Sequence, residues 1–116
     1  MTERFFFYGL LRRGQRGHDL LGLGERMRFA GEDAVRGSVR DLGLYPGLTL
    51  GGEGEVAGEV HETDDPAVIA DLDAYEGYDP DKPLESEYIR KKVTAVSGIE
   101  VWIYEHNAAA GAARER

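Results

Sequence analysis

The sequence predicts one domain of short strands joined by tight turns, a small barrel or strongly bent sheet, with one clear helix beside it. Three observations point there. First, the chain holds 16 glycines in 116 residues, about twice the usual ~7%. Many of them flank short β-type runs, as bends and tight turns require. Second, apolar and polar residues alternate over several short stretches, the period of half-buried strands. Third, only Asp65 to Gly77 combines a helix start, a 3.6-residue apolar period and a helix stop.

Arg4 to Tyr8 is the first strand, an aromatic run that ends abruptly at Gly9. Gly9 either turns the backbone or admits something close to it. A glycine-punctuated loop follows over 14–24, with a short helical turn around His18 to Leu21. Met27 to Ala30 and Val35 to Leu42 read as strands. Tyr45-Pro46-Gly47 reads as a turn, because Pro fixes φ and Gly accepts positive φ. Leu48 to Leu50 is a short extended piece, Gly51 to Gly54 a connector, and Val56 to Glu62 a strand.

Asp65 can cap the free N–H groups of the helix, and Pro66 suits its first turn. Val68, Ile69, Leu72 and Tyr75 or Glu76 follow at helical spacing, and Gly77 stops the helix. Tyr78 to Leu84 reads as a loop. Tyr88 to Val96 and Glu100 to Tyr104 form a strand pair around a Ser97-Gly98 turn. Residues 108–116 read as a disordered tail, which leaves 1–107 as the folded domain.

Composition narrows the function classes. A formal net charge of −8 argues against sequence-independent nucleic-acid binding and against attachment to an anionic membrane. Arg12, Arg13 and Arg16 make a small basic loop. There is no cysteine, so disulfides, thiolate metal sites and cysteine nucleophiles are ruled out. The run from Phe5 to Leu11 is far shorter than the ~20 apolar residues of a membrane helix. The N-terminal pattern is not that of a secretory signal. A cytoplasmic protein that does not engage membranes is expected.

Glu76 is the strongest candidate for chemistry. It occupies the last helical turn beside the apolar face, near Leu72 and Ile69. Apolar surroundings and the negative end of the helix dipole both disfavour its ionised form, which suits proton shuttling near neutral pH. Asp73 and Asp71 are expected to face solvent. The second element is Tyr8-Gly9-Leu10-Leu11, whose backbone N–H groups can bind a carboxylate or steady an oxyanion. His18, His61 and His106 lack ligand spacing, so no metal site is expected. The glycines at 22 and 24 lack the strand–GxGxxG–helix context of a dinucleotide site. Ser38, Ser86 and Ser97 lack that of a nucleophile elbow.

Read in order, these pieces resemble the γ-glutamylcyclotransferase-like superfamily, in particular its γ-glutamylamine cyclotransferase and butirosin-pathway branch. The family's Tyr-Gly-Ser/Thr-Leu-x-x-Gly loop is here Tyr8-Gly9-Leu10-Leu11-Arg12-Arg13-Gly14. Leu-Tyr-Pro-x-Leu is Leu44 to Leu48, and the Gly-Glu-Val strand is Gly58 to Val60. Leu-Asp-x-x-Glu-Gly is Leu72 to Gly77, Tyr-x-Arg is Tyr88 to Arg90, and the closing strand is Val101 to Tyr104. The likeness runs over nearly all of 4–105.

The resemblance implies an α+β fold, a small mixed β-barrel or strongly curved sheet with a few flanking helices. It implies release of 5-oxoproline and a free amine from a γ-glutamylamine or related amide, by attack of the α-amine on its own γ-carbonyl. Glu76 matches the family's catalytic carboxylate, and Tyr8, Gly9, Leu10 and Leu11 match the substrate-holding loop. The implied partner is a small γ-glutamyl molecule, and no cofactor is called for. One position departs: the family's Ser or Thr is Leu10 here. That leaves two other readings open, a non-catalytic small-molecule-binding module on the same fold and another amide or acyl-transfer activity.

Overall fold

In the computed structural model, which describes residues 2–43 and 46–108, the aromatic run near the N-terminus becomes the central strand of a five-stranded mixed sheet. This strand, β1 (Glu3–Phe7), pairs antiparallel with β3 (Pro46–Thr63) and parallel with β5 (Glu100–His106). β2 (Arg28–Asp41) pairs antiparallel with β3, and β4 (Tyr88–Thr94) antiparallel with β5. The spatial order is β2-β3-β1-β5-β4.

The expected barrel or strongly curved sheet is therefore corrected. The sheet is neither closed nor strongly curled, and β2 and β4 are its two edges. Closure would need a ladder between those edges. Instead the β4–β5 turn touches β2 through one main-chain bond, from Val96 N–H to Ala34 C=O at 2.8 Å, and through Ser97, whose N–H donates to the Asp33 carboxylate at 3.2 Å. The glycines that suggested continuous bending serve local needs. Gly31 (φ 132°) and Gly51 and Gly52 (φ 101° and 80°) sit at or beside the two register shifts of the β2–β3 ladder. At the second shift Leu50 pairs with Gly37 and Glu55 with Arg36, so residues 51–54 loop out of register. Bulges of this kind absorb twist where they occur and need not roll a whole sheet.

These bulges also explain why two expected pairs of short strands are two long ones. Residues 28–41 run as one strand, as do 46–63, across the connector expected at 51–54. Pro46 and Gly47 open β3 instead of forming a turn, while Leu44 and Tyr45 lie outside the described residues. Apart from Ala108, the expected tail also lies outside them.

The helices cover one face of the sheet. The 14–24 loop carries α1 (Arg16–Leu20) and leads into α2 (Leu23–Arg26). Helix α3 (Pro66–Glu76) begins and ends on the residues expected. The Asp65 carboxylate accepts from Ala67 N–H at 2.9 Å, and Gly77 (φ 70°) closes the helix in the left-handed conformation. Its apolar stripe puts Val68 and Leu72 into a core with Phe5, Phe7, Leu11, Leu23 and Tyr104. On the other face Phe6 packs with Val35, Leu48, Val60, Ala95, Val101 and Ile103. No helix among the described residues is long and apolar enough to cross a membrane.

Candidate active site

At the end of β1 the chain turns sharply. Arg12 N–H donates to Gly9 C=O at 3.2 Å, and Leu11 drives its side chain into the helix-side core. Close approach, not positive φ, makes glycine necessary at position 9. A Cβ there would stand 2.7 Å from Pro46 Cγ. Glu76 reaches the same place from the last turn of α3. Together Tyr8, Gly9, Leu10, Leu11 and Glu76 line one cavity of about 160 Å³, with Arg16, Pro46, Tyr75, Glu87, Tyr88 and Tyr104 among its other walls. Tyr88 donates its hydroxyl to Pro46 C=O at 2.8 Å, linking β4 to the start of β3.

Glu76 is the most perturbed carboxylate of the site. Burial in the cavity wall, and then the neighbouring Glu87 carboxylate, lift its pKa to about 8. The like charge of Glu87 adds to the burial that the helix position implies. Glu87 is the residue that sequence reasoning missed, since it lies in the lead-in to β4 and meets the site only through the fold. Its N–H donates to Gly77 C=O at 3.3 Å, which draws it against the end of α3.

Tyr8 is part of the framework of the cavity. Its hydroxyl donates to Tyr104 C=O at 3.0 Å and accepts from Leu48 N–H at 3.2 Å. Burial and the charge of Glu76 hold its pKa well above the usual phenol range, so it stays protonated. Tyr104 behaves alike: burial, and its hydrogen bond to the Asp73 carboxylate, raise its pKa strongly.

Asp73 corrects an expectation. It was expected at the surface and is 8% exposed. Its carboxylate accepts from Tyr104 O–H at 2.7 Å and from Arg90 at 2.8 Å and 3.2 Å. Arg90 in turn stacks over Trp102, 4.5 Å from the ring centroid. The signal was present in the sequence. Asp73 follows Ile69 by four residues and precedes Glu76 by three, so all three share one stripe of α3. Asp71, by contrast, is exposed as expected and pairs with Arg26.

The histidines also converge in part. His18 of α1 and His61 of β3 are both buried, with ring centroids 5.4 Å apart, whereas His106 packs on Tyr88. Burial pulls the His61 pKa down, and its hydrogen bond to the Glu59 carboxylate at 3.1 Å opposes that. Among the described residues no group of three or more metal-binding side chains could hold an ion.

Fold and cavity together define a small α+β protein with a carboxylate-bearing cleft at the end of its central strand. Over residues 5–116 the chain matches the family described as gamma-glutamyl cyclotransferase, AIG2-like, and it belongs to that family. Solved structures agree. YkqA of Bacillus subtilis is 27% identical with a TM-score of 0.71, over 92% of this chain and 36% of that one. The YtfP protein of Escherichia coli is 28% identical with a TM-score of 0.63, over 89% and 81%. An AIG2-like protein of Mus musculus shares the fold at 22% identity and a TM-score of 0.70, over 90% and 76%. No curated protein matches the chain.

Proposed function

We propose that this protein is a γ-glutamyl cyclotransferase that releases 5-oxoproline and a free amine from a γ-glutamylamine or a related amide. The observation that carries the proposal is Glu76, with its pKa lifted to about 8, opening on the same small cavity as the Tyr8–Leu11 loop. An α-amino group has an ordinary pKa of about 7.7–8.0. The substrate's own α-carboxylate makes its ammonium a weaker acid than that, yet a carboxylate lifted to about 8 is far better matched to it than an ordinary one, as general acid–base catalysis requires.

In this reading Glu76 takes a proton from the α-ammonium. The freed amine nitrogen attacks the γ-carbon of the same molecule, and a five-membered lactam closes. Main-chain N–H groups of the Tyr8–Leu11 loop steady the developing oxyanion. Glu76 returns that proton to the departing nitrogen as the old amide C–N bond breaks, then takes the second proton from the ring nitrogen and passes it to the freed amine, which leaves as an ammonium. Nucleophile and electrophile share one molecule, so the protein mainly folds the substrate into attack geometry. Arg16, on the cavity wall, supplies a cation suited to the substrate's α-carboxylate. As written, the reaction calls for no cofactor, and a cytoplasmic setting remains part of the proposal.

The test is incubation with a panel of γ-glutamyl amines and detection of 5-oxoproline. Product from at least one is expected; none, from folded protein, would sink the reading. Leu10 favours one alternative, a binding module without turnover, because the family's hydroxyl is missing there. Ligand binding that yields no product and is indifferent to Glu76→Gln would establish that alternative.

A further inference from the structure

The side of the Tyr8–Leu11 loop held by α1 carries a second layer of polar groups that the proposed reaction does not use. Gly17 lets α1 approach the loop, since a Cβ there would stand 2.8 Å from the Leu10 carbonyl oxygen and 2.6 Å from the Tyr75 hydroxyl. The next residue exploits that approach twice. His18 N–H donates to Leu10 C=O at 3.1 Å, and His18 Nδ1 meets Leu11 C=O at 3.0 Å. A carbonyl can only accept, so Nδ1 carries the proton and the ring's tautomer is fixed by its partner.

We propose that His18 is a positioning residue for the reaction: its main-chain N–H holds the Leu10 carbonyl and its ring holds the Leu11 carbonyl, and the ring's hold fixes the turn from which the Leu11 N–H is aimed at the site of the oxyanion. The argument rests on peptide geometry and, for the reaction itself, on the cyclotransferase reading above. In a planar trans peptide the C=O and the next N–H point in opposite directions. Anchoring Leu10 C=O on α1 turns Leu11 N–H to the other side of the loop. Anchoring Leu11 C=O turns Arg12 N–H toward Gly9 C=O, the bond that closes the turn. Among the described residues the N–H groups of Gly9, Leu10 and Leu11 make no main-chain hydrogen bond, and of these Leu11 N–H belongs to the peptide that α1 anchors through Leu10 C=O.

The loop is held once more, two residues on. Glu59 accepts from Arg13 N–H at 2.9 Å and is itself bonded to His61, whose ring faces that of His18. Residue 10 has no hydroxyl, so polar contact along this stretch falls to the main chain, and the orientation of its peptide planes becomes decisive.

Two polar replacements of His18 separate positioning from mere burial. An Asn amide nitrogen occupies the place of Nδ1, whereas a Gln amide nitrogen occupies that of Nε2. With a γ-glutamyl amine as substrate, His18→Gln is expected to lower kcat about tenfold to a hundredfold, in line with the loss or misplacement of one oxyanion donor, with little change in KM. His18→Asn is expected to restore most of it. Wild-type kcat in His18→Gln, or an equal fall in both variants, overturns the proposal. Amide hydrogen exchange, read without substrate, keeps this inference apart from the reaction. Arg12 N–H is expected to exchange at least about tenfold faster in His18→Gln than in His18→Asn, the change for one lost hydrogen bond. Equal exchange rates remove the clamp. Unequal rates in a protein that turns over no γ-glutamyl compound would keep the clamp and discard the cyclotransferase reading.

Discussion

The two faces of the sheet are built from different materials. Toward the helices, Phe5 and Phe7 share their core with buried polar groups: His18, His61 and the Asp73–Tyr104–Arg90 network. On the opposite face Phe6 shares a core of aliphatic and small residues, among them Val35, Leu48, Val101 and Ile103, with Tyr8 packed at its margin. Alternation along one strand thus sends its neighbours into two unlike environments. The cavity lies at the end of that strand, and its charged walls come from the helix-side elements and the lead-in to β4. One face fixes the strands, and the other fixes the orientation of groups that can exchange protons.

The strongest way to break this division is at Glu76. Glu76→Gln is expected to lower kcat for 5-oxoproline release by about 10²–10⁴, the usual worth of a general acid–base, with circular dichroism unchanged. Retained activity would move the proton shuttle elsewhere. Next comes Asp73→Ala, which leaves Arg90 and Tyr104 without their shared acceptor. Breaking such a largely buried pair costs about 3 kcal/mol, and kcat should fall too, because the Tyr104 main chain holds Tyr8. Denaturant titration and turnover together read both effects. On the apolar face Ile103→Ala should cost about 2–5 kcal/mol of stability yet leave kcat of the folded fraction as it was. A loss of kcat there would mean that the two faces are not separable.

How much of this was legible in the sequence follows the range of the interactions. Helix α3 was read with its cap, its Pro and its terminating Gly, because those signals act within a turn of where they sit. The pairing of a Tyr-Gly loop with Glu76 was read from the resemblance. Asp73 was misread because its neighbour Leu72 was weighed more than its stripe-mates Ile69 and Glu76. The sheet was expected to curl because glycine content counts bends without saying whether they add up. Along β2 and β3 they fall at register shifts, and each is absorbed locally. Glu87 and the His18–Leu11 contact had no local signal at all. Both depend on segments distant in sequence, or on one side chain's reach across a loop.

The finest distinction between the faces is one of pH, since Glu76, whose pKa is lifted to about 8, stands at the end of a helix-side element. Glu76 binds its proton more tightly folded than unfolded, where a carboxyl has a pKa of about 4.3. Its ionisation therefore costs nothing below that range. The fold loses stability progressively as pH rises toward about 8, and the loss is complete above it. Glu76→Gln should be more stable than the wild-type protein at pH 9 and no better at pH 4, measured by thermal melts at each pH. The same titration works the other way on rate. The base must be ionised while the substrate's ammonium still carries the proton it hands on, so kcat/KM should climb with pH through a midpoint near 8 and fall again as that ammonium is lost. Removing the like charge with Glu87→Gln should draw that midpoint downward. It should still stay above the ordinary carboxylate range, because burial is the larger cause of the shift. An unmoved midpoint would mean that Glu87 shares the cavity without sharing the titration, and the walls of the site would then act on Glu76 through burial alone.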